Sequence, residues 1–258
     1  MEGLPGGREQ MLAQIRDALG RRAVPAVAPA PLPPFHSNPD GLDAGERVAR
    51  FIFELKRVGA GVEQLSTEAE VKEHLAGLLP AGTDVPVALS DGAALRRLGL
   101  REWLEGAGRR VLPSLREFVA EGLEAGGARR EPDARGEEVA ALVEQYRGLL
   151  LEAAVGVTAA DLALADTGTL VIVSGEEQHR LISLLPPTHV CLLDPARVLP
   201  SLTQLLAHVR RRFNPPRAAP KNMTCITGPS RTADIEQAIT TGVHGPKTLH
   251  VILYSPGS

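Results

Sequence analysis

The residues with the clearest capacity for chemistry lie in the second half of the chain. At Gly228-Pro229-Ser230-Arg231-Thr232 an apolar run from Met223 to Thr227 gives way to a glycine, small hydroxyls and an arginine. Read as a strand running into a helix, this order turns free amides and the positive end of a helix dipole toward an anion, and Arg231 adds a planar fork for carboxylate or phosphate. The same residues also suit plain helix capping by Ser230 or Thr232, with Asp234 and Glu236 in the first turn. His244 is the histidine flanked by glycines, Gly242 and Gly245. That makes it approachable, and it is the candidate acid/base residue. Asp166-Thr167-Gly168-Thr169 sits between two apolar runs, Leu162 to Ala165 and Leu170 to Val173. It is either a tight turn in which Gly168 takes a conformation closed to branched residues, or a ligand-binding loop at strand ends. An aspartic protease dyad would need a second such motif, and the helix-rich surroundings argue against it. The candidate ligand-binding or anion-binding set is therefore Thr167, Gly168, Thr169, Gly228, Ser230, Arg231, Thr232 and Gly245, with His244 as the catalytic candidate.

Other chemistries find little support. Gly242-Val243-His244-Gly245-Pro246-Lys247-Thr248 lacks the Gly-Lys-Ser/Thr order of a phosphate loop, and Gly106-Ala107-Gly108 lacks the third glycine of a dinucleotide fingerprint. No zinc-type spacing occurs among the 7 histidines. The 2 cysteines, Cys191 and Cys225, lie in apolar stretches and are expected to be buried thiols. They are too few for a disulfide scaffold or a conventional iron–sulfur cluster. No metal and no resident cofactor is expected.

These groups need elements to hold them, and the periodicity supplies candidates. Arg8 to Leu19 carries Met11, Leu12, Ile15 and Leu19 at helical spacing, and Pro25 to Pro39 reads as an extended linker or arm. Val48, Phe51, Ile52, Leu55 and Val58 share one face of a second helix, whose other face turns Glu46, Arg50, Glu54 and Arg57 toward water. Thr67-Glu68-Ala69-Glu70 is a capping box that opens a helix with Val71, Leu75 and Leu78 as its stripe. Val85 to Leu89 reads as a strand, followed by Asp91 as a helix N-cap. A long helix runs through Val139, Leu142, Val143, Tyr146, Leu149 and Leu150. Further strands are expected at Thr188 to Leu193 and Leu249 to Tyr254, with a helix at Leu199 to Arg212. Alternating apolar runs and helices mean an α/β sheet covered by helices.

Composition sets outer bounds. The chain has 258 residues, 43% hydrophobic and 23% charged, so it can bury a sizeable core as one large domain or two small ones. Aromatics are only 3%, which disfavours a nucleic-acid binder built on stacking platforms. No apolar run reaches the roughly 18 residues needed to span a bilayer, and the first residues lack the basic-then-apolar order of a secretory signal, so a cytoplasmic location is expected. Charge is uneven: residues 195–258 hold 8 basic and 2 acidic side chains, a net of +6, against an overall net of −3. Part of that excess is Arg210-Arg211-Arg212, where cations suit the negative end of a helix dipole. The rest suggests an anion site or a face for an acidic partner.

The longer motifs carry a resemblance. Gly156-Val157-Thr158-Ala159-Ala160-Asp161 through Asp166-Thr167-Gly168-Thr169-Leu170, then His179-Arg180-Leu181, Leu185-Pro186-Pro187-Thr188-His189, Thr227 to Glu236 and Gly242-Val243-His244-Gly245-Pro246, together resemble the LUD-domain family, and within it the lactate utilization protein C (LutC/YkgG) group. The match is strongest over residues 140–254 and absent from the proline-rich start. The resemblance implies a three-layer α/β/α fold like the NagB/RpiA/CoA-transferase superfamily, with residues 1–40 as an N-terminal helix and arm and 41–258 as the domain. It also implies a subunit that supports oxidation of L-lactate to pyruvate alongside iron–sulfur, cysteine-rich partner proteins. The clusters would sit in those partners, a small carboxylate would be the ligand, and homo-oligomerisation stays open. The alternatives are a free-standing enzyme on a phosphorylated or CoA-linked small molecule and a non-catalytic interaction module.

Overall fold

The computed structural model describes residues 41–125, 132–175, 178–212, 220, 222–233, 239–241 and 245–255. The expected helix at Arg8 to Leu19, the Pro25 to Pro39 arm and His244 lie outside them.

Helix α1 (Ala44–Arg57) opens on a capping box in which Asp43 accepts the Glu46 amide and Glu46 reaches back to the Asp43 amide. Strand β1 (Gly61–Leu65) follows, then α2 (Glu68–Leu78), begun by the Thr67/Glu70 capping box that the sequence predicts. Next come β2 (Val87–Leu89), α3 (Ala93–Arg97), α4 (Leu100–Gly106), α5 (Leu115–Ala125) and the long α6 (Pro132–Glu152). Strands β3 (Val155–Ala159), β4 (Leu162–Leu164), β5 (Thr169–Val173), β6 (Thr188–Leu193) and β7 (Val198–Leu199) lead to α7 (Leu202–Arg212). The remaining strands are β8 (Met223–Ile226), β9 (Arg231–Ala233), β10 (Ile239–Thr241) and β11 (Thr248–Tyr254).

Five strands form an all-parallel sheet in the order β1-β11-β6-β3-β2. Its inner strands, covered on both faces, are apolar runs rather than alternating ones, whereas the edge strand β1 exposes Glu63 and Gln64. Val190 and Leu192 of β6 join α2, α3 and α4 on one face, through Val71, Leu75, Leu95 and Leu104. Cys191 and Leu193 join the opposite face, where Phe51 and Leu55 of α1 pack. Each such side chain contributes about 1.5–3 kcal/mol by leaving water. The α/β class thus stands. One outer layer differs from the expected plain helix layer, because a four-stranded sheet, β7-β4-β5-β8, packs there with Ala163, Leu170 and Ile172 inward.

Three local expectations are corrected. Asp91 does not cap α3; Gly92 occupies the N-cap without a side-chain bond, and Asp91 instead pairs with Arg96 at 3.4 Å. No helix begins at Thr232, because Arg231 to Ala233 pair with Ile239 to Thr241 as an antiparallel hairpin. Cys191 is buried as expected, but Cys225, on β8, is exposed.

Candidate functional site

The structure gathers most of the sequence-predicted residues at one place, against the C-terminal half of α1. Thr167 Oγ1 donates toward Asp166 Oδ1 at 3.2 Å, and hydroxyl contacts of 2.7 Å then link Thr167 to Thr169 and Thr169 to Thr227. Gly168 turns β4 into β5 at φ 64°, and a Cβ there would stand 2.6 Å from the backbone nitrogen of Leu55. Gly228, at φ 90°, lies against Val58 in the same way. Arg231 Nη2 donates to the Val58 carbonyl at 2.6 Å, a cation placed at the negative end of α1. The Ser230 amide bonds the Pro246 carbonyl at 2.9 Å, with Gly245 beside the Ser230 side chain. Thr232 lies in the β9–β10 hairpin, paired with Thr240.

This packing also explains Glu54, which was expected to face water. The Asp166 to Gly168 turn covers that part of α1, so Glu54 is buried, and Arg50 and Arg57 hold its carboxylate at 2.6 and 2.8 Å. Burial likewise raises the Asp166 carboxyl above the ordinary range, with the Thr167 hydroxyl pulling it back. The Thr167, Thr169 and Thr227 hydroxyls bond one another, and Arg231 gives one donor to the end of α1. With no helix at Thr232, the dipole argument for an anion loses its helix.

A second group, largely unflagged by the sequence, lines a cleft of about 420 Å³ outside the carboxyl ends of β3, β6 and β11, where open α/β sheets place ligands. Its volume falls in the usual range for small-molecule sites. Asp161, just past β3, stands beside Gln178: Asp161 Oδ2 accepts the Val173 amide at 2.7 Å and Gln178 Nε2 at 3.4 Å. Gln178 Oε1 in turn accepts the Ser90 hydroxyl at 3.3 Å and the Ala159 amide at 3.4 Å, so the ends of β2 and β3 fix one side-chain amide. Asp161 Oδ1 accepts no hydrogen bond among the described residues. Burial pushes the Asp161 carboxyl up, opposed by the Val173 amide and by the positive Arg197 and Arg212. Arg197 Nη1 donates to the Asp161 carbonyl at 3.3 Å. Arg97 also lines the cleft, from α3, and makes no ion pair or hydrogen bond among the described residues. The Oγ of Ser174, also in the lining, is buried and unpartnered among them.

The arrangement can therefore hold an anion on guanidinium groups and a hydroxyl on a carboxylate. Among the described residues no group of three or more His, Cys, Asp or Glu could hold a metal ion. No helix among them is long and apolar enough to cross a membrane. Sequence reasoning had one signal for Asp161, a carboxylate placed where an apolar run stops. Gln178 had none, because its role arises only when the loop before Arg180 folds back onto the ends of β2 and β3.

Comparison with known proteins places this geometry in a family. The family model described as "LUD domain" matches residues 48–254. "Lactate utilization protein C" of Geobacillus sp. (strain WCH70) is 36% identical over 103 residues, 40% of this chain and 43% of that protein. The protein of the same name from Bacillus subtilis (strain 168) is 36% identical over 104 residues, with the same coverage of 40% and 43%. The match thus spans about two fifths of the length of these relatives. Among solved structures, a DUF162 family protein from Deinococcus radiodurans shares the fold with a TM-score of 0.52 at 18% identity, over 83% of this chain and 99% of that one. With the family model covering the sheet, the cleft and the α1 cluster together, this chain belongs to the LUD domain family.

Proposed function

We propose that this chain serves lactate utilization as a subunit that holds a small carboxylate in the cleft at the carboxyl ends of β3, β6 and β11, while redox groups come from iron–sulfur partner proteins. The observation that carries this reading is the pair of arginines lining the cleft, Arg97 and Arg197, with the open carboxylate oxygen of Asp161 between the strand ends. The relatives named for lactate utilization support the choice of acid. Removing two electrons from lactate needs a redox group, which the sequence offers no motif to bind, and cofactors ordinarily supply that chemistry.

Partner docking would use α7. Leu202 and Leu206 are exposed on it at 53% and 54%, one turn apart, and lead to the exposed Arg210 and Arg211. That stripe suits an acidic partner bearing apolar side chains, with association weakening as salt rises.

The decisive experiment follows the melting temperature of the purified chain during titration with L-lactate, pyruvate, sulfate and phosphate. Lactate or pyruvate should raise it, and Arg97→Ala with Arg197→Ala should remove the rise. Identical responses of wild type and double variant to every anion would place the site elsewhere. A second reading, an enzyme on a phosphorylated or CoA-linked small molecule, draws on the size of the cleft, which exceeds what a three-carbon acid fills. Turnover of sugar phosphates or acyl thioesters by the isolated chain would favour it.

A further inference from the structure

The cleft holds a carboxylate whose two oxygens are used unequally. Asp161 Oδ2 takes both available donors, the Val173 amide at 2.7 Å and Gln178 Nε2 at 3.4 Å, whereas Oδ1 takes none among the described residues. These bonds fix the carboxylate plane. Gln178 cannot turn away, because it is nine-tenths buried and its own oxygen is held by Ser90 and the Ala159 amide. Arg197 stands beside it, its Nη1 donating to the carbonyl of Asp161 itself at 3.3 Å and its Nε 3.9 Å from Asp194 Oδ2, a loose contact. A rigid acceptor with a free oxygen thus lies next to a guanidinium with donors to spare.

An acid carrying a hydroxyl on the carbon next to its carboxylate presents an anion and a donor at that short spacing. We infer that Asp161 is the specificity-determining residue of the cleft, selecting a 2-hydroxy acid over the matching 2-oxo acid by accepting the ligand hydroxyl on Oδ1 while Arg197 takes the ligand carboxylate. A 2-oxo acid has no proton to give and would set a carbonyl oxygen against the carboxylate. Sites built to bond a substrate hydroxyl reject the analogue that lacks it, because a polar group is left unpaired. The fixed plane of Asp161 prevents it from turning away to avoid that loss. This inference rests on the reading of the cleft as a small-carboxylate site and adds which oxidation state it prefers.

The test measures binding of L-lactate, pyruvate and propanoate, which has neither oxygen function, to the full chain at pH 7.5 by calorimetry, with Asp161→Asn and Arg197→Ala alongside. A hydrogen bond to a charged group corresponds to a preference of about 10- to 100-fold, so wild type should bind lactate that much more tightly than pyruvate or propanoate. Asp161→Asn keeps an acceptor for the Val173 amide and can turn a donor toward a keto oxygen. It should bring lactate and pyruvate within about threefold or reverse their order, and its urea midpoint reports whether it folds. Equal binding of all three acids by wild type, with loss in Arg197→Ala, overturns the role of Asp161 and leaves the carboxylate site standing. Binding of none of them overturns both. The wild-type ratio alone decides the matter should the variant fail to fold.

Discussion

Two polar, glycine-bearing regions of this chain behave in opposite ways. Around Thr167, Gly168, Thr169, Gly228 and Arg231, glycines admit the backbone and side chains of α1, and the hydroxyls and the guanidinium bond to partners within the protein. At the cleft, Asp161 and Arg97 retain bonding capacity among the described residues, and the rigid element that holds Asp161 is an ordinary glutamine. A glycine-hydroxyl-arginine motif in sequence signals close approach of something, and here that something is a helix of the same chain. Binding capacity sits where the sheet ends, on residues with no motif of their own.

The largest expected effect falls on the packed region. Gly168→Ala imposes a side chain on a backbone at φ 64° and drives it into the Leu55 amide, so it should cost roughly 2–5 kcal/mol of stability, read as a lowered urea midpoint. A loss under 1 kcal/mol would show that α1 can yield there and would blur the contrast. The sheet beneath both regions comes next. His189 is fully buried, its Nε2 2.8 Å from Thr158 Oγ1, and burial pushes its pKa down to about 3. A folded-state pKa depressed below the ordinary value means stability is present above pH 6.5 and lost as pH falls toward 3, by about 1.4 kcal/mol per unit. Between pH 7.5 and 5 wild type should therefore lose about 2 kcal/mol more than His189→Gln, measured by urea unfolding at both pH values. Equal slopes would mean that His189 takes up its proton without opening the fold.

Arg231→Ala removes one bond to the end of α1 and should cost about 0.5–1.5 kcal/mol while leaving any lactate-induced rise in melting temperature unchanged. Loss of that rise would return the anion site to the Gly228 to Thr232 turn. Smallest of all, Arg97→Ala should leave stability within about 0.5 kcal/mol, as surface substitutions without partners do, and show itself only when ligand is added. A large loss in the absence of ligand would make the cleft another packed region.

Local order was largely legible in the sequence. The Thr67/Glu70 capping box, the apolar run Thr188 to Leu193 and the Leu162 to Val173 hairpin each follow from neighbouring residues, and each forms as the pattern predicts. What escaped were decisions made at long range. Glu54 looks solvent-facing by helical period and is buried because a turn more than a hundred positions onward covers it. Arg231 to Ala233 read as a helix start, but pairing with Ile239 to Thr241 overrides that propensity. Asp161 and Gln178 acquire their shared chemistry only through the crossing of β3 with the loop that precedes β6. No periodicity records that crossing.

The strand order carries one more consequence, for biosynthesis. Among the described residues strand β1 pairs with β11 alone, which is also the last described strand in chain order and the link between β1 and β6. A nascent chain that has not yet extruded Thr248 to Tyr254 can join β2, β3 and β6, yet it leaves β1 detached and the apolar surfaces of Cys191 and Leu193 uncovered along one side. Closure waits for contacts separated by nearly the whole domain, the slow and aggregation-exposed kind of assembly. A product that stops short of residue 248 lacks the strand that joins β1 to the rest of the sheet.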